Sequence, residues 1–423
     1  MKSIVVRVSL LLALLLLAGC SARTTTTTSQ ATSTRGIAPS PTPNGTPCSA
    51  TGAASTGAAP TAAASLYLSS DDGFVYALTG ADGSVRWKFD LGNAQNGRSK
   101  NSGALALDQN VVYVVSTDNT IYALNASDGT VRWQARCDGG FGYTAPVAQN
   151  GILYLSNATT VYALDANTGE ERWRKVVGNT ETLALSVANN LVLVRAQDLN
   201  STDGTLLALS ATDGKQRWST PFSSAILSTP ALADGAAYLT AVSAVGAETL
   251  AALSAADGKQ RWQKQLPGGG GDVPLEEQGV VYVDSGGNLL ALSAADGTTR
   301  WLKPLDGRGF SPGLASASDL LYVGYQVASH TSTSGNDGVV AALSASDGTA
   351  RWHTAVPGGT PSGVPLAYLS MQPRSGVAEF ETPVAAQGVV YVWVQGMVSA
   401  LDATSGALRW STAAGDSQAS LVA

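Results

Sequence analysis

The chain has 423 residues, of which 44% are hydrophobic and only 13% charged, with 46 glycines and a formal net charge of −6. That apolar fraction suffices for a large core, and the mild charge with no run of Lys or Arg excludes a nucleic-acid partner held by phosphate contacts. Two histidines, His330 and His353, are too few for a histidine-rich metal site or a histidine-based triad.

At the N-terminus, Lys2 and Arg7 precede an apolar stretch from Leu10 to Leu17, and Leu17-Ala18-Gly19-Cys20 follows. The stretch is too short to span a bilayer, so residues 1–19 read as a signal peptide. The tetrapeptide resembles the lipobox of bacterial lipoproteins. That resemblance implies an acylated Cys20 as first mature residue, anchoring the protein to a bacterial membrane on its periplasmic or cell-surface side. Residues 20–64 then collapse to Thr, Ser, Ala, Pro and Gly, with Thr24 to Thr28 in a row. Such a composition buries too little apolar surface to offset its ordering entropy, and a disordered tether is expected.

From residue 65 the chain repeats. Ala77-Leu78-Thr79-Gly80-Ala81-Asp82-Gly83-Ser84-Val85-Arg86-Trp87 returns in eight versions ending at Trp87, Trp133, Trp173, Trp218, Trp262, Trp301, Trp352 and Trp410, with Ala, Leu, Gly, Arg and Trp identical in all. Each copy follows an apolar run such as Val111-Val112-Tyr113-Val114-Val115, and most runs follow a further short segment such as Ser228-Thr229-Pro230-Ala231-Leu232. Four short strands, A to D, recurring every 40–50 residues are the signature of propeller blades. The fold class is therefore all-β: an eight-bladed β-propeller of four-stranded antiparallel blades over residues 65–423. The repeated Gly sits in the C–D turn at positive φ, and the Trp packs across to a neighbouring blade. The first blade lacks a strand A, and the tail Ser417 to Ala423 resembles one, so the C-terminal strand is expected to join blade one and close the ring. Cys48 and Cys137 either pair in an oxidising compartment, tying the tether to the second blade, or Cys137 is a small buried hydrophobe.

These repeats resemble those of the pyrroloquinoline quinone (PQQ) repeat superfamily, whose tryptophan-docking pattern runs Ala-x-Asp-x-x-x-Gly-x-x-x-Trp. The third position holds Asp here only at Asp165 and Asp402, so some docking hydrogen bonds differ. One branch of the superfamily consists of quinoprotein dehydrogenases, which hold the quinone with calcium and typically carry a disulfide between adjacent cysteines. No Cys-Cys pair occurs here, and the A segments are mainly Ala, Pro, Leu, Gly and Ser, with Glu276 and Glu277 near one turn. Oxygen ligands for calcium are not gathered, and neither a cofactor nor enzyme activity is expected. The other branch, non-catalytic and BamB-like, joins a lipidated cysteine to an eight-bladed propeller without cofactor. The resemblance thus implies a protein-binding scaffold in outer-membrane protein assembly. A surface-displayed recognition module, suited to the long Thr-rich tether, is the alternative, and a PQQ-dependent dehydrogenase the third.

Alternating strands send the A–B and C–D turns to one face and the B–C and D–A connections to the other. The first group is uniformly short, whereas the second includes long segments at 197–204, 243–248, 328–338 and 357–382. Long loops on a rigid scaffold commonly carry binding. A protein or polymer partner is expected on that face, with Tyr368, Met371, Arg374, Glu379 and Phe380 as candidate contacts.

Overall fold

Short apolar runs bounded by Gly, Asp and Asn dictate strands joined by tight turns. A computed structural model of the chain describes residues 48–51, 65–70, 72–92, 102–116, 118–137, 145–157, 159–178, 184–197, 203–223, 225–243, 245–268, 273–305, 313–327, 337–357, 382–394, 396–413 and 420–423. All of these belong to one unit, Asn44–Ala423, built from eight antiparallel sheets arranged as the blades of a propeller, with no helix among the described residues.

Blade one consists of strands B (Ser65–Ser69), C (Phe74–Thr79) and D (Val85–Asp90), with strand A supplied by Ser420–Val422 from the far end of the chain. The closing register pairs Tyr67 with Val422, Leu68 with Leu421 and Ser69 with Ser420. The C-terminal strand also packs against Ser102–Asp108, strand A of blade two. Ring closure by the tail removes what would otherwise be an open inner edge.

Two sheets depart from four strands. In blade five, strand A comes in two pieces, Ala225–Leu227 and Ala231–Ala233, both paired with strand B at Ala236–Ser243. Pro230 lies in the gap, where a residue with no backbone donor interrupts the ladder. In blade two a fifth strand, Ser49–Thr51, pairs antiparallel with strand D, Ser49 opposite Arg136 and Thr51 opposite Gln134. These residues correct the expectation of a structureless tether throughout residues 20–64. Cys48 is disulfide-bonded to Cys137 just after strand D, and the Cys48 N–H donates to Glu171 Oε2 of blade three at 2.9 Å. That bond and the three-residue ladder order a segment whose own side chains bury little.

The C–D pairing carries the same irregularity in every blade. In blade one Ala77 lies opposite Trp87 but Leu78 opposite Val85, so a β-bulge leaves Arg86 without a partner. The shift recurs at the equivalent Ala/Leu step in all eight sheets. A bulge re-aims side chains along a strand, here sending the Trp of each Arg-Trp pair into the blade junction.

Among the described residues there is no central core. Eight apolar clusters each fill one junction between consecutive blades. Leu66, Leu68 and Leu78 pack with Tyr391, Trp393 and Val398 where blade eight meets blade one. Strand B residues face alternate neighbours: Val281 and Val283 pack on blade five, Val280 and Tyr282 on blade seven.

Candidate functional site

The sequence-selected tryptophans come together at the junctions, each docking on the C–D turn of the following blade. Trp87 Nε1 donates to Ala126 O at 3.0 Å, Trp133 to Ala166, Trp173 to Ala211, Trp218 to Ala255, Trp262 to Ala294, Trp301 to Ala345 and Trp352 to Ala403. Trp410 completes the ring by donating to Gly80 O in blade one at 2.9 Å. Six of the indoles are buried, and Trp301 and Trp410 are partly exposed.

Beneath each indole lies the repeated glycine. Gly129 has φ +74°, and a Cβ there would fall 2.7 Å from Cε3 of Trp87. The other seven glycines stand in the same relation to the indole of the preceding blade. Both the left-handed backbone and the flat ring above it exclude a side chain.

Two further elements of the junction were not recognised from the sequence, and a third was recognised in part, since the Asp before the repeated Gly was expected to bond turn amides. In six blades a strand B tyrosine reaches the same carbonyl as the tryptophan: Tyr67 and Trp87 both donate to Ala126 O, Tyr113 and Trp133 to Ala166 O. Blade four has Leu193 at this position, and in blade eight the Tyr391 hydroxyl is buried without a partner. The signal was the Tyr recurring inside the apolar runs. Second, the invariant arginines clamp the turn face. Arg132, Arg261, Arg300 and Arg409 each donate through Nη2 to a carbonyl of their own blade's A–B turn, between 2.7 and 3.2 Å.

Third, every C–D turn carries one carboxylate, at the sixth or the third position. Asp82, Asp128, Asp213, Asp257, Asp296 and Asp347 each accept from the amide two residues on. In blades three and eight Asp165 and Asp402 take over, capping two turn amides and pairing with Arg172 and Arg409 at 2.6 Å. Hydrogen bonds from Lys215 and Ser210 hold the Asp213 carboxyl down to about 2, and those from Arg409 and Ser405 hold Asp402 well below the usual range.

On the turn face a cleft of about 700 Å³ runs across blades six to eight, bordered by Glu277, Arg300, Asp319, Ser346, Arg351 and Thr404. Its charges are mixed. On the opposite face, Glu248 is 1% exposed and accepts a 2.7 Å bond from the Ser285 hydroxyl. Asp284 is also buried, with Oδ1 unpartnered, and burial first, then the Glu248 charge, push its carboxyl up to about 6. Strand alternation sends Ser285 toward blade five and Asp284 toward blade seven. Among the described residues no three His, Cys, Asp or Glu side chains gather. Glu276 is engaged by its own turn, accepting from Gly279 N at 2.8 Å. The donor set of the described residues does not fit a calcium-held quinone.

Cys48 and Cys137 are brought together by their disulfide, and His353 is exposed on strand D of blade seven. Cys20, His330 and the candidate contacts Tyr368, Met371, Arg374, Glu379 and Phe380 lie outside the described residues.

These features define a tryptophan-docked, eight-bladed propeller in which ring closure rests on both a strand and an indole. The chain belongs to the PQQ-repeat family described as outer membrane protein assembly factor BamB, whose profile matches residues 21–139, 71–199, 157–265 and 240–422. Comparison with curated protein sequences finds no match. Among solved structures, BamB from Moraxella catarrhalis is 17% identical with a TM-score of 0.54, over 81% of this chain and 93% of that one. AztD from Citrobacter koseri is 12% identical with a TM-score of 0.55, over 85% and 97%. The dihydro-heme d1 dehydrogenase NirN is 12% identical with a TM-score of 0.58, over 89% and 79%. At such identities the likeness is one of fold, which binding proteins and enzymes share.

Proposed function

We propose that this chain is a protein-binding scaffold of the bacterial cell envelope, anchored outside the cytoplasm through an acylated Cys20 and acting in outer-membrane protein assembly. The observation that carries this reading is the use of the invariant side chains. The repeated Trp, Gly and Ala join blades to one another, and Arg132, Arg261, Arg300 and Arg409 brace A–B turns, all in a chain of the BamB family. A disulfide between Cys48 and Cys137 supports an oxidising compartment. No catalytic role is assigned to any residue.

Partner contact is assigned to the face bearing the B–C and D–A connections, centred on residues 357–382 with Tyr368, Met371, Arg374, Glu379 and Phe380. The Thr-rich residues 24–28 favour a second reading, a recognition module displayed from the cell surface. Crosslinking in native membranes, followed by identification of the captured protein, tests the proposal. Capture of an outer-membrane assembly component is expected from the wild type. It should be lost when residues 358–381 are replaced by a short Gly-Ser link, with the melting temperature unchanged. Capture that survives the replacement removes the loop-face assignment. Loss of membrane attachment in Cys20→Ala is the companion result, and attachment that persists refutes the anchor.

A further inference from the structure

The open cleft of about 700 Å³ on the turn face, over blades six to eight, departs from the repeat at two of its residues. The first is in an A–B turn. Seven such turns place Asn110, Gly151, Asn190, Gly235, Gly279, Asp319 and Gly388 just before strand B, and of these Asp319 alone carries a charge. Its φ is +63°, a backbone that Asp tolerates no better than Asn, so the turn itself gives no reason for a carboxylate.

The second departure is Arg351. Arg132, Arg261, Arg300 and Arg409 dock on the carbonyl of that same turn residue in their own blades. In blade seven Asp319 O accepts from Ala345 N at 2.9 Å, and among the described residues Arg351 is left undocked. A sequence that repeats its structural residues so faithfully has no packing reason to free one arginine and charge the turn beside it.

Blade six adds Glu277 and Arg300 to the same cleft. The cleft thus has four charged residues, two of each sign, and among the described residues none of them enters a salt bridge. Three of them converge on the Tyr282 hydroxyl. Burial first, then Glu277, raise its pKa, Arg300 lowers it and Asp319 raises it again. Val280 and Leu320 add apolar lining, and Ser346 and Thr404 add hydroxyls.

This set of groups selects by chemistry. An anion would meet Glu277 and Asp319, and a cation would meet Arg300 and Arg351. An apolar ligand would strip water from all four charges and return nothing. A hydroxyl both donates and accepts, so a ligand rich in hydroxyls and without net charge can give protons to the carboxylates and take them from the guanidiniums. Its C–H faces suit Val280 and Leu320. The volume lies within the ~300–1,000 Å³ typical of ligand sites.

We propose that this cleft binds a neutral oligosaccharide, with ring hydroxyls on the Glu277 and Asp319 carboxylates and on the Arg300 and Arg351 guanidiniums. The site lies on the face opposite the one assigned to partner contact, so the two readings stand or fall separately.

The test is calorimetric titration of the full chain with chitotetraose, cellotetraose and maltotetraose at millimolar concentration. Tetragalacturonate, the glucosamine tetramer and N-acetyl-tetraglycine amide serve as anionic, cationic and peptide counterparts. At least one neutral tetrasaccharide should bind at a single site, and the charged tetramers about tenfold more weakly or not at all. Asp319→Asn keeps a residue suited to the turn and removes its charge, and Arg351→Met removes the undocked guanidinium. Each should weaken saccharide binding roughly tenfold, the worth of one charge-assisted hydrogen bond. Both side chains are exposed, so the melting temperature should not change. If one variant does not fold, the other supplies the reading. No binding of any neutral tetrasaccharide, equal binding of a charged one, or affinity retained in both variants overturns the proposal. Tighter binding of the peptide assigns the cleft to a polypeptide and overturns it as well. Partner capture in native membranes is unaffected by either substitution if the scaffold reading holds.

Discussion

Each junction in the ring is governed by an indole lying on a residue that has no side chain. Gly129 and Gly151 make the case testable, because their backbones are alike, both with φ +74°. A Cβ at Gly129 would lie 2.7 Å from the Trp87 ring, whereas a Cβ at Gly151 meets nothing within 4 Å. Gly151→Ala should therefore cost only the left-handed backbone penalty, about 1–2 kcal/mol. Gly129→Ala should cost roughly 1–3 kcal/mol more, the price of displacing a packed ring. Denaturant unfolding of the two variants measures the difference, and equal losses would show that the indole contact contributes nothing. The Gly and Trp positions were legible because eight copies agree on them. The tyrosine hydroxyls were not, since a Tyr inside Val-Val-Tyr-Val satisfies strand periodicity without revealing the carbonyl at its tip. Nor was the migration of the turn carboxylate between the third and sixth positions, which leaves each turn with one acceptor and so hides as two unrelated substitutions.

Among the elements, the strand that closes the ring belongs to both ends of the chain. Ser420–Val422 supplies the inner edge of blade one and also abuts strand A of blade two. Trp410 independently docks on Gly80. Removal of residues 417–423 should therefore weaken the ring without opening it. It exposes the ladder edge of Tyr67, Leu68 and Ser69 but leaves the indole in place. A loss of about 2–3 kcal/mol corresponds, in a domain of this size, to a melting temperature lower by roughly 3–4 °C. A calorimetric scan unchanged by the truncation would mean that the strand merely rests on blade one. This element could be read in advance because the vacancy in blade one and the surplus at the tail were both visible. Strand Ser49–Thr51 could not. Three small residues in a low-complexity segment have no alternation to detect, and their placement comes from Cys48, from Glu171 and from an open edge on strand D of another blade. The broken strand A of blade five was not legible either: Ser228-Thr229-Pro230-Ala231-Leu232 reads as one segment, and nothing in it shows that a separate piece, Ala225–Leu227, pairs with the same partner.

Across the whole molecule, stability is distributed over eight junctions, with no buried centre to dominate it. Such a ring is only as sound as the link between its first elements and the rest, and the 89-residue separation of Cys48 and Cys137 makes their disulfide the longest covalent constraint on that link. A cross-link of this span removes much of the unfolded chain's freedom, typically about 2–4 kcal/mol. Cys48→Ser should lower the unfolding free energy by that amount, and Cys137→Ser by the same. If the effect resides in the bond, the double variant should lose no more than either single one, because the second substitution removes nothing further. Losses that simply add would instead mean that each sulfur acts separately as a buried small side chain. Limited proteolysis supplies an independent reading. Without the bond, the ladder to Gln134, Ala135 and Arg136 is held by three residues alone, too few to resist fraying. Cleavage between residue 48 and strand B of blade one should then accelerate in all three variants and in the reduced wild type. Unchanged cleavage would mean that pairing with blade two, not the sulfur link, fixes where the N-terminal segment meets the ring.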